Sequence, residues 1–198
     1  MTAMKRAIER SDVLDSDTFA RQRAERRARV LALKRQRRVA VGPHATFYFE
    51  SYDTMWWQVH EMLRIEGGGE AQIADELGAY NPLVPNGREL VATLMFEIEN
   101  PVRRAEVLAE LGGIEDMVAL RVGAIAVPAR PEADVERTDA TGKTSAVHFL
   151  HFPFTPPAIA AFKDESQPAV LAFAHPRYGH MAGLPLATRR VLVADFAA

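Results

Sequence analysis

The sequence predicts an α+β fold with a ferredoxin-like split βαβ antiparallel sheet at its core, N-terminal helices before it and a C-terminal helix after it. Three observations predict it. Residues 89–198 run strand, helix, strand, polar connection, strand, helix, strand. Both helices of that plan open on a capping residue followed by proline, Asn100-Pro101 and Thr155-Pro156, where the missing proline amide costs nothing. The intervening segments alternate: Leu90, Ala92, Leu94, Phe96 and Ile98 fall on one face of a strand over 89–99.

Residues 1–88 are expected to form a basic N-terminal helix, short strands and a tryptophan-bearing helical segment packed on that core. Ser16 or Asp17 can cap the first helix. Its Ala20, Ala24, Ala28 and Leu31 recur at helical spacing, a narrow apolar stripe expected to pack on the protein's own acidic body. Segments 38–41 and 46–50 read as a strand pair around Gly42-Pro43. Asp53 or Thr54 then caps a helix through Met55, Val59, Met62 and Leu63, ended by Gly67-Gly68-Gly69, and a short helix follows over 70–78. Tyr80-Asn81-Pro82 and Pro85-Asn86-Gly87 are turn chemistry. Residues 89–198 supply the core: the strand over 89–99, a helix through Val107, Leu108 and Leu111, strands over 117–127, 145–153 and 168–175, and a last helix over 186–196.

Composition narrows the chemistry. The 198 residues are 48% hydrophobic and 25% charged, the mix of a globular protein able to bury a core without crosslinks. There is no cysteine, which excludes disulfides, thiol nucleophiles, cysteine-ligated zinc and an iron–sulfur cluster held by this chain alone. No apolar run approaches the ~20 residues of a membrane helix, and the charged N-terminus lacks the apolar stretch of a signal peptide, so a cytoplasmic protein is expected. Residues 1–38 carry 12 Lys/Arg and 5 Asp/Glu, net +7, whereas residues 39–198 carry 12 and 21, net -9. Nine of those basic residues fall over 21–38 against Glu25 alone.

Several motifs fail on inspection. Ala140-Thr141-Gly142-Lys143-Thr144 resembles the end of a phosphate loop, but Arg137 stands where the first glycine belongs, and Thr144 leads into a strand. There is no Gly-x-Ser-x-Gly elbow and no Glu-x-x-His pair of a di-iron bundle. His148 and His151, three apart on a strand, point to opposite faces.

Two segments remain as candidates. His175-Pro176-Arg177-Tyr178-Gly179-His180 gathers two imidazoles, a guanidinium and a phenol on one loop after a strand. Arg177 could hold an anion, while His175 and His180 could hold a divalent metal, iron or zinc, as candidate cofactor. On the tryptophan helix, Trp57, Glu61 and Arg64 share a face, and burial beside the rings would raise the Glu61 carboxyl. Glu50 precedes that helix by a short turn. A concave site shared by Glu50, Glu61, Arg64, His175 and Tyr178 is therefore expected, with Glu50, Glu61, Arg64 and Tyr178 as the catalytic candidates and one carboxylate perturbed.

Read together, Arg38-Val39-Ala40-Val41-Gly42-Pro43, Phe49-Glu50, Thr54, Gln58, Glu61-Met62-Leu63-Arg64, Tyr80-Asn81, Glu89-Leu90, Ala92-Thr93-Leu94, Gly113-Ile114-Glu115-Asp116 and His175-Pro176 with Tyr178 resemble one uncharacterised bacterial family, the domain of unknown function numbered 3501. The likeness runs from about Lys5 to Asp195. It brings no activity with it. It implies a gene neighbourhood containing rubrerythrin-like proteins and iron–sulfur proteins of the heterodisulfide-reductase type, and so an accessory role beside a redox or peroxide-stress system. The leading expectation is an interaction protein whose basic segment meets an acidic partner that carries the iron. Its rival is a small metal- or anion-dependent enzyme built on the histidine loop. Nucleic acid ranks last as a partner, because the -9 remainder would repel a polyanion; a homo-oligomer is compatible with the composition.

Overall fold

The computed structural model describes residues 5–132, 137–139 and 142–197. The chain runs through α1 (Ser16–Gln36), β1 (Arg38–Val41), β2 (Ala45–Phe49), α2 (Tyr52–Glu66), α3 (Gly69–Tyr80), β3 (Glu89–Phe96) and α4 (Pro101–Ala109). It continues through β4 (Val118–Val122), β5 (Ile125–Pro128), β6 (Arg130–Pro131), β7 (Val147–Pro153), α5 (Pro156–Lys163), β8 (Ala169–Phe173), β9 (Met181–Gly183) and α6 (Leu186–Val193). Asn100 and Thr155 cap α4 and α5 as the sequence predicts: Asn100 accepts from the amides of Val102 and Arg103, and Thr155 from that of Ala158.

The fold is mixed α and β, but the strands do not lie in one ferredoxin-like sheet. They form two antiparallel sheets, β1-β2-β3-β7-β6 and β5-β4-β8-β9. β3 pairs with β7, with Thr93 opposite Phe149, and β4 pairs with β8, with Leu120 opposite Leu171. The chain thus passes from the first sheet to the second after β3, and again after β7. Alternation demands only that one face of each strand be covered, and two sheets facing each other satisfy it as fully as one sheet under helices. Phe47 and Phe152 of the first sheet and Leu120, Leu171 and Phe173 of the second fill a common core, with Phe47 and Phe173 rings 5.4 Å apart. The expected strand over 117–127 is a hairpin. Gly123, at φ 54, makes its turn, and a Cβ there would stand 2.5 Å from the Gln167 side chain.

A helical layer covers the outer face of the first sheet. Met55, Trp56, Trp57 and Val59 of α2 pack with Phe19 and Val30 of α1 and with Val91 and Phe149 of the sheet. Two caps move by a residue or more from expectation. Asp15 caps α1 through the Thr18 amide, and Ser51 caps α2 in a reciprocal arrangement with Thr54. Each run offers several competent acceptors, and the first one with extended backbone takes the position.

The alanine stripe of α1 is a larger correction. Ala20, Ala24, Ala28 and Leu31 face solvent, and the helix turns Phe19, Arg23, Arg26 and Val30 inward. The Arg26 guanidinium lies 4.3 Å from the Trp56 ring centroid, and Arg23 grips Glu61 with two bonds of 2.7 and 2.8 Å. Two indoles and a carboxylate on α2 hold long guanidinium side chains better than methyl groups, whose burial gives little area.

The chain ends meet at one buried ion pair. Arg37, just past α1, donates to the carbonyls of Phe49 (3.0 Å) and Glu50 (2.7 Å) and pairs with Asp195, just past α6. Arg37 is 3% exposed and Asp195 1%. Arg6 bonds the Asp195 carbonyl, and the Ala197 amide donates to Gly87 at 2.8 Å. Burial pushes the Asp195 carboxyl above its ordinary range, while Arg37 opposes that push. Asp195→Asn should strip Arg37 of its counter-charge and lower the unfolding free energy by about 3–5 kcal/mol, read from urea denaturation.

Candidate functional site

The histidine loop is built for structure. A bridge between His175 and Tyr178 closes it. His175 Nδ1 accepts from the Arg177 amide at 3.2 Å and Nε2 faces the Gly112 carbonyl at 3.3 Å, so both ring nitrogens are engaged by the backbone. Arg177 forms an exposed pair with Glu110 at 2.8 Å. Tyr178 is buried. Its hydroxyl accepts from the amides of His44 and Ala45, both at 3.0 Å, and donates to the Val41 carbonyl at 2.9 Å. The ring packs on Phe173 and Phe96, so this residue fastens the second sheet's loop to the β1–β2 turn. Gly42 is required in that turn: its φ is 71, and a Cβ would sit 2.7 Å from the exposed His180 ring and 2.8 Å from the Tyr178 hydroxyl. Among the described residues no three His, Asp or Glu side chains gather to hold a metal, at His175 and His180 or elsewhere.

The other histidines are also framework. On β7, His148 is fully buried, with Nε2 2.9 Å from the Ser145 carbonyl, while His151 turns the other way, 3.2 Å from Glu89. His60 of α2 donates from Nδ1 to the Trp56 carbonyl (2.7 Å) and accepts at Nε2 from the Leu14 amide (3.0 Å). It thereby ties the chain before α1 to α2. In the phosphate-loop resemblance, Ala140 and Thr141 lie outside the described residues, and Thr144 bonds toward His148 and Glu115.

Glu61 is half-buried, and its carboxyl is held below the ordinary range rather than above it, first by the Arg23 hydrogen bonds. Arg64, exposed, adds a longer contact of 3.4 Å. Glu50 stands apart. It is 5% exposed, and Thr54 and Thr93 each donate a hydroxyl to one of its carboxylate oxygens at 2.6 Å. It lines a cavity of about 300 Å³ between α2 and the outer face of the first sheet, with Lys34, Met55, Gln58, Tyr80 and Phe149 among the walls.

The expected shared site therefore does not assemble. Glu50 and α2 lie outside the first sheet, whereas Tyr178 lies in the core between the sheets, so the first sheet stands between the two groups. None of Glu61, Arg64, His175 or Tyr178 lines the Glu50 cavity. Thr93 and Lys34 were not singled out as site residues by the sequence reading. The signal for Thr93 is a hydroxyl between the apolar Val91 and Met95 on one strand face.

Architecture and site define a class: a two-sheet sandwich capped by helices, with a carboxylate at the floor of a cavity beneath the cap. The chain matches the family described as "Protein of unknown function (DUF3501)" over residues 7–196 and belongs to it. It is similar to a crystal structure titled as a novel protein of unknown function from Burkholderia pseudomallei K96243, at 40% identity. That alignment covers 96% of this chain and all of the other, with a TM-score of 0.89. A comparison with curated proteins finds no match.

Two outcomes follow from the framework roles. Tyr178→Phe leaves two amides and a carbonyl without their partner and should cost about 1–3 kcal/mol, with faster hydrogen exchange at His44 and Ala45. Burial lowers the pKa of His60 and of His148 from the ordinary 6.5, so the unfolded chain takes up protons that the folded chain resists. Their stabilisation is present above that value and is lost as pH falls below it. Urea midpoints should drop from about pH 7 to about pH 5, at up to about 1.4 kcal/mol per histidine per pH unit, and less steeply in His60→Gln.

Proposed function

We propose that this protein is a cytoplasmic accessory protein that docks on an acidic surface of a redox or peroxide-stress partner. The rubrerythrin-like and iron–sulfur proteins implied by the family resemblance are the partner class. One observation carries the reading: the outer face of α1. Arg21, Arg27, Arg29 and Arg35 are exposed there, and against them the helix carries only Glu25 and, in its first turn, Asp17. Between them lie exposed Ala20, Ala24 and Ala28, and Leu31 at 43% exposure. Small residues let a partner surface come close, Leu31 adds apolar area, and the guanidinium groups supply long-range attraction. Arg23 and Arg26 are engaged inward, so the helix is held rigidly and the outer face is presented in one orientation. With no cysteine and no Glu-x-x-His in this chain, the iron chemistry belongs to the partner. No described helix is long and apolar enough to cross a membrane.

The test is binding of a purified rubrerythrin-like protein of the class that the family resemblance implies. Attraction between exposed charges is screened, so affinity should fall steeply between about 50 mM and about 300 mM salt. The triple substitution Arg21→Glu, Arg27→Glu, Arg35→Glu should weaken it by at least about tenfold, with stability changed by no more than about 0.5 kcal/mol per site. Binding that ignores both salt and the charge reversal would sink the proposal.

A further inference from the structure

We propose that the cavity above Glu50 is a binding site for a small primary amine with an apolar body, a function independent of the docking face. Glu50 is buried and makes no ion pair within 4.0 Å among the described residues. A carboxylate has about four lone-pair positions, and Thr54 and Thr93 fill one on each oxygen. Among the described residues no side-chain or backbone donor reaches the other positions. A buried carboxyl with open acceptor positions is incompletely satisfied, and a cation in the cavity would supply the missing donors and a positive charge on the side opposite Arg37, whose guanidinium bonds the Glu50 carbonyl. Lys34 is the one cationic residue on the walls, and it does not reach the carboxylate. The space between is left to a ligand.

The walls fix the rest of its chemistry. Met55, Leu83, Val147 and Phe149 make most of the lining apolar, and the two flexible methionines, Met55 and Met95, let the cavity adapt to shape. At about 300 Å³ it lies at the small end of ligand pockets, with room for on the order of ten non-hydrogen atoms. A compact ammonium, with three donors, fits beside two threonine hydroxyls on one carboxylate. An anion would meet Glu50 itself. A divalent metal would need further ligands, and among the described residues no second carboxylate or imidazole joins Glu50 there.

The experiment is calorimetric titration of the full chain with 2-phenylethylamine, 2-phenylethanol and 3-phenylpropionate. The amine should bind at least about tenfold more tightly than either matched compound. Glu50→Gln, which keeps an oxygen for a threonine hydroxyl, should lose about tenfold or more of the amine affinity. Met95→Trp leaves Glu50 untouched and fills the half-open wall of the cavity, so it should abolish binding even where Glu50→Gln folds poorly. Equal affinity for amine and alcohol, amine binding unchanged in either folded variant, or no amine binding to the wild type would overturn the proposal.

Discussion

Everything near the cavity depends on Arg37. Its guanidinium touches the end of β2 and Asp195, two residues past α6, at once, and it sits directly after α1. Two of its bonds go to the carbonyls of Phe49 and Glu50, so the backbone at the cavity floor is fixed by the same side chain that holds the C-terminal turn. A lysine could not do this: one ammonium is a point donor, whereas the planar fork serves three acceptors in set directions. Taking both charges out of water is expensive. The arrangement is sustained because Arg37 satisfies two backbone carbonyls as well as Asp195. Asp195 Oδ1 is left without a hydrogen-bond partner among the described residues, and burial pushes the carboxyl up against the pull of Arg37.

Arginine does two jobs on α1. Turned inward, Arg23 and Arg26 replace the apolar residues a packed helix usually presents, and they hold it to α2 through a carboxylate and an indole. Turned outward, Arg21, Arg27, Arg29 and Arg35 make no ion pair within 4.0 Å among the described residues. The charge split between residues 1–38 and the remainder is thus only partly cancelled inside the molecule. A helix whose inner face is itself cationic leaves a stronger positive field at its surface than an apolar inner face would.

What the sequence made legible were the local elements. Asn100-Pro101 and Thr155-Pro156 marked two helix starts, and alternation through Leu90, Ala92, Leu94 and Phe96 marked the buried face of β3. The partition into two sheets was not legible, because a period of two reports a covered face and not what covers it. The face of α1 was misread because alanine spacing looked like a stripe, while the indoles that attract arginine lie some thirty residues further on. Of the candidate site, Glu50 was visible as an acid at a strand end. Its neighbours were not: Thr93 comes from another strand and Lys34 from another helix, and only tertiary packing brings them to one cavity. The Arg37–Asp195 pair joins residues 158 positions apart, a distance over which no spacing rule operates.

The sheet margins carry a consequence of their own. The outermost strands are β1 and β6 of the first sheet and β5 and β9 of the second, four, two, four and three residues long. Two of them end in proline, Pro131 and Pro128, and β9 ends in glycine. Such margins offer too few free amides and carbonyls to template a strand from another chain, which protects the fold from cross-strand aggregation. They equally deprive it of recognition by added strands. Along its described rims this sandwich presents side chains rather than a run of open backbone.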